Sequence, residues 1–580
     1  MSLQISSPIA AGIYNICSDQ LSTLFSDFYF DVLHLPKMHI LKRLTAATCL
    51  MASTAAFEPR EATIASTHHD LYTGLATCRE VVDSFLSRIE ALDNNTNAIL
   101  ALNPHVLEDA DACDRALTFN NGTFGPLFGI PILLKDNFDT SFMPTTGANA
   151  EMARSQPTVD APAVAAFKKA GAIILGKTNL HELALEGISV SSLGGQTVNP
   201  YDSTRTPGGS SGGTGAAIAA SFAVWGTGTD TVNSLRSPAS ANNLWSLKPT
   251  RGLISRAGII PISYTQDVVG PIARCVEDVA IALTVMAGIG YDANDNATAL
   301  APAGMKDTIY ASSLSKGSLK GLRFGVLEGF FNRTASSETT PVNEAMEKHI
   351  SKLRGSGATI VPINETIYDA NAIINTIDTQ RYEYREQLTE YLQRPSLSGE
   401  HPSSTNELYA GDEFLVLPSQ YEYVTTALKS STGNATYAST LAGIQNLTLA
   451  LQKTFASNSL DAIIYPEQKN LVVKIGSPSQ SGRNGILAAL TGSPVATVPI
   501  GFSIATQSAP DGVPIGMEVL GRPWTEKKLL QIAYQIQEMA RVRKTPSWAK
   551  RHVGVKNYTT VPSIVPNVGN IPEEYSIGQL

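Results

Sequence analysis

Short apolar runs alternate with amphipathic helical segments along most of this chain, and this alternation restricts the fold more than any other feature. Around residues 320–363 an apolar run, a segment with helical periodicity and a second apolar run follow one another as a strand–helix–strand unit. Further strands are predicted in GPLFGIPILLKDNFD, ending at Lys135, and in AIILGKTNL, LDAIIYP and SPVATVPIGF. Further helices are predicted in REVVDSFLSRIEAL (79–92), VLEDADACDRALTF, APAVAAFKKAG, TGAAIAASFAVW and EKKLLQIAYQIQEMARV. Such alternation is typical of an α/β fold with a central sheet.

The length and composition allow a large folded core and exclude an extended nucleic-acid surface. With 580 residues, 43% of them hydrophobic, the chain is long enough for one large domain or several. Only 16% of the residues are charged, the formal net charge is -8, and no run of Lys and Arg supplies a basic stripe. Residues 380–445 are polar and rich in Tyr, and we expect an irregular insertion there that shapes a substrate entrance. Residues 557–580 are predicted to be a surface tail.

The N-terminal region has the layout of a secretory signal peptide that begins at an internal methionine. In MHILKRLTAATCLMASTAAF (38–57), Lys42 and Arg43 precede an apolar run that ends in small residues and is too short to span a bilayer. We therefore predict a non-native or disordered extension over 1–37, a leader over 38–56 and a secreted protein without stable membrane insertion. The alternative is an amphipathic extension on a cytosolic protein.

Glycosylation motifs and cysteines bear on the same question. Asn-x-Thr triplets, which are acceptor sites for N-linked glycans, begin at Asn94, Asn121, Asn296, Asn332, Asn364, Asn434, Asn446 and Asn557. Of the cysteines outside the predicted leader, Cys78 and Cys113 lie in neighbouring predicted helices, so they could pair. The spacing of the cysteines does not match a metal site.

The glycine-rich stretch PGGSSGGTGAA (207–217) allows several interpretations on its own. Residues 208–212 match G-x-S-x-G, the nucleophile elbow of α/β-hydrolases, with Ser210 as nucleophile. That motif requires a strong strand before it and a later histidine, but NPYDSTRTP precedes it and only His349, His401 and His552 follow. A phosphate-binding loop is excluded because no lysine follows the glycines. A flexible glycine turn without chemistry is the third interpretation.

A series of motifs in the right order resembles the amidase signature family. The segments are GPLFGIPILLKDNFDTSFMPTTGA, GAIILGKTNLHELA, PGGSSGGTGAAIAA, GTDTVNSLRSPASANNLWSLKPTRGLISRAGIIP, GPIARCVEDVAIALTVMAG, GSPVATVPIGF and GMEVLGRPW. The resemblance extends over roughly residues 65–545. It implies a single large amidase domain over 57–556, with a central mixed, twisted sheet covered by helices on both faces. With the predicted leader, the chain is similar to a secreted amidase of fungal type.

The resemblance implies a Ser–Ser–Lys triad. In the family, a bridging serine whose peptide bond is cis lies 24 residues before the nucleophile, and here 234 − 210 = 24. Ser234 is thereby the expected nucleophile, Ser210 the bridge and Lys135 the base. Free lysine has a pKa of about 10.4, but burial after the apolar run IPILL disfavours its charged form and lowers that pKa.

Further roles follow by position. The backbone N–H groups of Thr231, Val232, Asn233 and Ser234 are expected to form the oxyanion hole. Ser211 and Arg236 are expected to brace the triad, and Asp230 to hold the loop. Many family members have Gly-Gly where this chain has Val232-Asn233, and glycine allows backbone angles that valine resists.

The resulting prediction is a hydrolase that cleaves linear, non-peptide carboxamides through an acyl-enzyme on Ser234. The expected partner is a small-molecule amide; no metal, cofactor or nucleic acid is implied, and no oligomer is predicted. Two alternatives from other classes remain: a serine esterase using Ser210, and a catalytically silent binding protein, which Val232-Asn233 suggests. The amidase component of a tRNA-dependent amidotransferase belongs to the same family, but the predicted leader argues against it.

Overall fold

An eleven-stranded mixed sheet forms the centre of the protein. The computed structural model describes residues 57–119 and 124–580; the predicted extension and leader and the triplet at Asn121 lie outside this range. The strands are β1 (Ile99–Leu102), β2 (Pro131–Lys135), β3 (Gln156–Pro157), β4 (Ile173–Thr178), β5 (Val190–Ser191), β6 (Gly195–Gln196), β7 (Trp225–Asp230), β8 (Trp245–Lys248), β9 (Val268–Ala273), β10 (Arg323–Leu327), β11 (Thr359–Ile363), β12 (Leu397–Ser398), β13 (Ala462–Pro466), β14 (Val495–Phe502) and β15 (Pro514–Leu520).

The large sheet has parallel pairing toward its two ends and antiparallel pairing in its centre. Its order is β1-β4-β2-β7-β9-β8-β14-β15-β13-β10-β11. β2 pairs in parallel with β4 and β7, and β10 pairs in parallel with β11 and β13. The other pairs are antiparallel, and β3/β12 and β5/β6 form two small separate ribbons. β2 and β4 are buried at every position, which explains why they appear in the sequence as continuous apolar runs.

Helices fill the connections between the strands. They are α1 (Ile64–Thr73), α2 (Cys78–Leu92), α3 (Val106–Phe119), α4 (Pro162–Lys169), α5 (Gly212–Ala219), α6 (Arg236–Ala241), α7 (Val276–Ala287), α8 (Thr340–Gly355), α9 (Ala370–Ile377), α10 (Gln380–Gln393), α11 (Thr405–Leu408), α12 (Tyr421–Lys429), α13 (Ala435–Ser457), α14 (Ile486–Thr491) and α15 (Glu526–Ala540). None of them, across 57–119 and 124–580, combines the length and apolar character that a membrane crossing needs. The predicted α/β class with a central mixed sheet is confirmed.

Two local predictions were wrong. The segment 380–445 is largely helical rather than irregular, because Tyr384, Leu388 and Tyr391 recur at helical spacing and are buried in one apolar cluster. The helix predicted in TGAAIAASFAVW ends at Ala219, since Ser221 has a φ of +60°, outside the helical region, and Trp225 already begins β7.

Contacts distant in sequence hold the two ends of the described chain to the rest. Cys78 and Cys113 form a disulfide with Cα atoms 6.1 Å apart, which joins the start of α2 to α3. The predicted tail has no helix or strand longer than one 3-10 turn, yet it is docked. Asn567 donates its backbone N–H to Asn97 Oδ1 at 2.9 Å, and Tyr575 is only 4% exposed.

Candidate active site

The parallel pairing of β2 and β7 brings the predicted base and nucleophile to one edge of the sheet. Lys135 is the last residue of β2, and Asp230 is the last residue of β7. Because parallel strands have their carboxyl ends at the same edge, Lys135 meets the end of β7 and the loop 231–234 that follows. This edge is where α/β sheets place their ligand sites.

Lys135 is fully buried with hydroxyl groups as its partners. Its Nζ lies 2.7 Å from Ser210 Oγ and 2.7 Å from Thr229 Oγ1. No carboxylate among the described residues lies within ion-pairing distance of it. Burial lowers the pKa of Lys135 to about 7. An amine with this pKa can accept a proton from Ser210 near neutral pH, which an ordinary lysine cannot.

The glycine-rich stretch is close-packed, so the interpretation as a flexible turn was wrong. Ser210 is fully buried, and the Gly209–Ser210 peptide bond is cis, at the serine for which the resemblance implied a cis bond. A Cβ on Gly212 would lie 2.1 Å from Ser189 Oγ, and one on Gly213 would lie 2.1 Å from the carbonyl oxygen of Asn179. Only glycine allows this approach, which fixes Ser210 two residues before α5.

The loop of residues 231–234, between β7 and α6, presents Ser234 beside a row of free amides. Ser234 retains 7% exposure, and its carbonyl accepts the N–H of Ser211 at 3.2 Å. The four consecutive N–H groups of residues 231–234 donate to no acceptor among the described residues. Unpaired donors are rare inside proteins, so an unpaired row beside a serine has the character of an anion site.

Buried charges hold this loop from behind. Arg236 is fully buried; its Nε and Nη2 each lie 3.0 Å from Asp230, and its Nη1 lies 2.9 and 2.8 Å from the two oxygens of Glu518. Its Nη2 also bonds to the carbonyl of Val232. Asp230 and Arg236 therefore form an ion pair in the interior of the protein. These contacts are compatible with the roles expected of Arg236, as a brace of the triad, and of Asp230, as the residue that holds the loop.

Val232 and Asn233 do not need the conformations that only glycine adopts. Neither has a positive φ. Val232 packs against an apolar cluster that includes Phe330 and Ile486, and Asn233 Nδ2 donates to Glu467 Oε1 at 3.1 Å. The departure from Gly-Gly therefore leaves the row of free amides in place.

The surroundings of Ser210 do not form a nucleophile elbow. No strand of the described chain directly precedes it, since β6 ends at Gln196. His349 lies buried in α8, and the ring of His401 contacts the carbonyl of Pro402. Neither these residues nor His552 has a ring bonded to Ser210. The partner of Ser210 is Lys135.

A cavity of about 1020 Å³ adjoins this edge of the sheet. Thr229 and Thr231 line it near the predicted triad, and Gln387, Glu390 and Tyr391 of α10 line it from the polar segment. Lys135, Ser210 and Ser234 are not among the residues that line it, so the contribution of that segment to a substrate entrance stays a prediction.

Sequence reasoning missed several side chains that contact the predicted site. Asn137 Nδ2 donates to Thr229 Oγ1 at 3.1 Å, so both residues support the amine of Lys135. Glu467, directly after β13, contacts Asn233 of the loop, and Glu518 of β15 contacts Arg236 behind it; both contacts span more than two hundred residues of sequence. Asn137 had a local signal, because it lies two residues after Lys135; the two glutamates had none.

Comparisons with known proteins identify a matching family, curated relatives and similar solved structures. A sequence model of the family described as Amidase matches residues 80–530. A glutamyl-tRNA(Gln) amidotransferase subunit of Acinetobacter baumannii is 32% identical over 488 residues, 79% of this chain and 92% of that protein. A probable amidase of Arabidopsis thaliana is 30% identical over 520 residues, 87% of this chain and 94% of that protein. Among solved structures, the peptide amidase of Stenotrophomonas maltophilia has a TM-score of 0.73 at 32% identity, covering 84% of this chain and 98% of that one.

Proposed function

Because the chain belongs to the amidase family and is a hydrolase of carbon–nitrogen amide bonds, we propose that Ser234, Ser210 and Lys135 form its catalytic triad. The observation that carries this assignment is the 2.7 Å contact between Lys135 Nζ and Ser210 Oγ in a fully buried site. The amine there has no carboxylate partner among the described residues, so it is free to take up a proton.

The proposed reaction starts from this assignment, in which the Lys135–Ser210 contact is observed and the step from Ser234 to Ser210 is inferred. Ser234 Oγ attacks the amide carbonyl while its proton passes to Ser210, whose own proton passes to Lys135 Nζ. The N–H groups of residues 231–234 stabilise the oxyanion, and each such donor typically contributes about 3–4 kcal/mol. The C–N bond then breaks, the relay returns its proton to the leaving nitrogen, and an acyl-enzyme remains on Ser234. Water attacks that ester through the same relay and releases the carboxylic acid.

Replacement of Ser234 tests the proposal. We expect Ser234→Ala to lower kcat by about 10⁴-fold or more, since no nucleophile remains, without loss of stability. Ser246→Ala is the matched control, because Ser246 is also a buried serine but its hydroxyl has no partner in the described structure. Amide hydrolysis by Ser234→Ala at the wild-type rate would refute the assignment.

The substrate that we propose is an uncharged, linear, non-peptide carboxamide with an apolar acyl group. The charged side chains of the cavity wall are largely paired with one another: Arg256 with Asp295, and Arg394 with Asp139. Ile259, Ile260 and Val268 supply apolar surface. A wall of this kind has no unpaired cation to bind an anionic substrate.

A panel of amides tests this specificity. It compares aliphatic and aryl amides of graded acyl size with a peptide C-terminal amide and with glutamine. A preference for the neutral amides supports the proposal. A preference for the peptide amide contradicts it and is the activity for which the Stenotrophomonas relative is named. Glutaminase activity alone would favour a role like that for which the Acinetobacter relative is named.

We also propose that the protein is secreted and glycosylated. Support comes from the Cys78–Cys113 disulfide, since such bonds persist in oxidising compartments. All seven acceptor asparagines in the described range are exposed: Asn94, Asn296, Asn332, Asn364, Asn434, Asn446 and Asn557. Ten asparagines outside such triplets are buried instead: Asn97, Asn103, Asn137, Asn149, Asn179, Asn199, Asn233, Asn242, Asn243 and Asn484. The relatives reported above are bacterial and plant proteins, so the fungal-type assignment stays a prediction.

Expression in a eukaryotic host tests secretion and glycosylation together. N-terminal sequencing of the secreted protein should find a chain that starts near residue 57, and a start at Met1 would contradict the leader. Glycosidase treatment should remove mass from the wild type. Asn296 also lines the cavity, so Asn296→Gln should alter the turnover of bulky amides, whereas Asn557→Gln should not. Unglycosylated secreted protein would refute the modification.

A further inference from the structure

Three buried carboxyl groups lie around a single guanidinium behind the 231–234 loop. Asp230, Glu518 and Glu467 are each at most 1% exposed. Arg236 makes two contacts to Asp230 and two to Glu518, so its charge is shared between these carboxylates. Glu467 has no ion-pair partner among the described residues. A third buried carboxylate would leave an uncompensated charge, which is costly in this environment.

The side chain of Asn233 has an unpaired oxygen next to this acid. Asn233 Nδ2 donates to Glu467 Oε1 at 3.1 Å, whereas Asn233 Oδ1 is buried and has no donor within the described structure. A protonated carboxyl group can donate its O–H to the oxygen of the amide whose N–H it accepts. The resulting pair of hydrogen bonds gives Asn233 Oδ1 a donor. An ionised carboxylate has only acceptor oxygens and would leave Oδ1 without one.

The loop is pressed against a neighbouring segment at the same place. A Cβ on Gly485 would lie 2.3 Å from the carbonyl oxygen of Val232 and 2.5 Å from Cβ of Asn233. The carbonyl of Gly485 accepts from Arg236 Nη2 at 3.1 Å. The backbone of the loop is therefore in close contact with Gly485 on the side where Asn233 pairs with Glu467. A change in this pairing would change the position of the loop backbone.

We propose that Glu467 is a positioning residue that acts as a protonated acid, pairs with the side-chain amide of Asn233 through two hydrogen bonds, and thereby fixes the 231–234 loop. The inference rests on the proposed role of that loop in stabilising the oxyanion. Substrate does not contact Glu467; its effect reaches the reaction through the amides of residues 231–234.

The electrostatics of the cluster agree with a protonated Glu467. Burial, reinforced by the charge of Glu518, raises the pKa of Glu467 to about 8. Arg236 and Asp230 also face it, and Tyr465 lies two residues before it in β13. Lys248 faces Arg236 and Glu518, and burial lowers the pKa of that lysine to about 7. Glu467 therefore keeps its proton below a pH of about 8 and loses it above.

The pH dependence of kcat, measured with the most active amide of the panel, tests the pairing. For the wild type we expect activity to rise through about pH 7 as Lys135 becomes neutral and to fall above about pH 8 as Glu467 ionises. Glu467→Gln should keep kcat at pH 7.5 within about threefold and lose the alkaline decline, since glutamine donates N–H to Asn233 Oδ1 at every pH. Glu467→Ala should lower kcat about tenfold at pH 7.5 with little change in KM, because one hydrogen-bonded pair of about 1.4 kcal/mol is lost, and it should also lack the alkaline decline.

Controls separate the pairing from unrelated effects. Glu526→Gln changes another fully buried glutamate, which bonds to Thr250 away from the loop, and should retain the alkaline decline. An unchanged circular dichroism spectrum across the same pH range excludes unfolding as the cause of the alkaline decline. An unchanged alkaline decline in Glu467→Gln, or a loss of kcat as large as in Glu467→Ala, would overturn the proposal.

Infrared spectroscopy tests the pairing of Glu467 with Asn233 independently of catalysis. The infrared spectrum at pH 7 should contain the carbonyl band of a protonated acid that Glu467→Gln lacks and that disappears above about pH 8. Absence of this difference would overturn the pairing whatever the activity. An inactive wild type that shows the band would instead refute the proposed function and leave the pairing standing.

Discussion

Two buried lysines at the ends of neighbouring parallel strands have opposite surroundings. Lys135 ends β2, and Lys177 lies in β4 opposite Leu134. Both are at most 1% exposed. Lys177 Nζ lies 3.2 Å from Asp136 Oδ1, and it also donates to the carbonyls of Phe138 and Pro144. Lys135 contacts hydroxyl groups alone.

The difference teaches that burial alone does not make a lysine a base. Asp136 follows Lys135 directly in sequence, yet its carboxylate pairs with Lys177 on the next strand. Lys177 is thereby a charged brace whose protons are all engaged. Lys135, deprived of a carboxylate, can give up its proton, and its neutral amine can accept one from Ser210.

The largest expected effect concerns the base itself. Lys135→Met should lower kcat by about 10⁴-fold, because the proton relay loses its end point. The variant should also be more stable. The folded-state pKa of about 7 lies below that of free lysine, so the cost of burying the charge is full below pH 7 and disappears above about pH 10.4.

Urea unfolding checks this stabilisation. We expect the free energy of unfolding of Lys135→Met to exceed that of the wild type by about 2–4 kcal/mol at pH 6 and to match it near pH 10.5. A variant that is less stable than the wild type at pH 6 would show that Lys135 is a structural brace like Lys177.

The corresponding change in Lys177 should act on stability rather than on chemistry. Lys177→Met leaves Asp136 buried without its partner, so we expect a loss of about 3–5 kcal/mol in the free energy of unfolding. The Lys177→Met protein that does fold should keep kcat within about tenfold of the wild type. A kinetic defect as large as that of Lys135→Met, with stability unchanged, would remove the distinction between the two lysines.

A carboxylate introduced beside Lys135 should make its surroundings resemble those of Lys177. Thr229→Asp places a negative charge next to Nζ, where Thr229 Oγ1 now lies at 2.7 Å. We expect the pKa of Lys135 to rise, which moves the acid side of the pH–activity profile upward by about 1–3 units. A profile whose acid side stays at the wild-type position would mean that Lys135 is not the group that titrates there.

The smallest expected effect comes from removal of one hydroxyl partner. Thr229→Val keeps the shape of the side chain and removes the acceptor of two hydrogen bonds, one donated by Lys135 and one by Asn137. A decrease in kcat of about tenfold is expected, without the shift in the profile that Thr229→Asp produces. A shift of equal size in both variants would show that the introduced charge is not its cause.

Sequence alone was sufficient for those parts of the site that rest on continuous apolar runs or on motifs. The end of the strand at Lys135 was predicted to the residue, because PILLK is buried throughout and appears as a run. The strand β7, WGTGTD, was missed because alternating glycines leave no apolar pattern, although the strand is fully buried. Its burial depends on β2 and β9 on either side, which no local window contains.

The charged supports of the 231–234 loop could not be predicted for the same reason. Glu467 and Glu518 each appear in sequence as one acidic residue after or within a strand. Only the pairing of β13 with β15, which brings Tyr465 opposite Glu518, places both acids beside Arg236. Val232 and Asn233 show the opposite case. Their difference from the usual Gly-Gly suggested a disturbed oxyanion hole, but neither residue has a positive φ, so glycine is not required there.

Covalent labelling tests the central claim most directly. A serine-directed covalent probe is applied to the folded protein, which is then cleaved on the N-terminal side of Asp230. This cleavage separates Ser210 from Ser234, whereas one tryptic peptide, 206–236, holds both. We predict one label per chain, on Ser234, and none in Lys135→Met under the same conditions. Labelling of Ser210, or no labelling of the folded wild type, would contradict the assignment of Ser234 as the nucleophile.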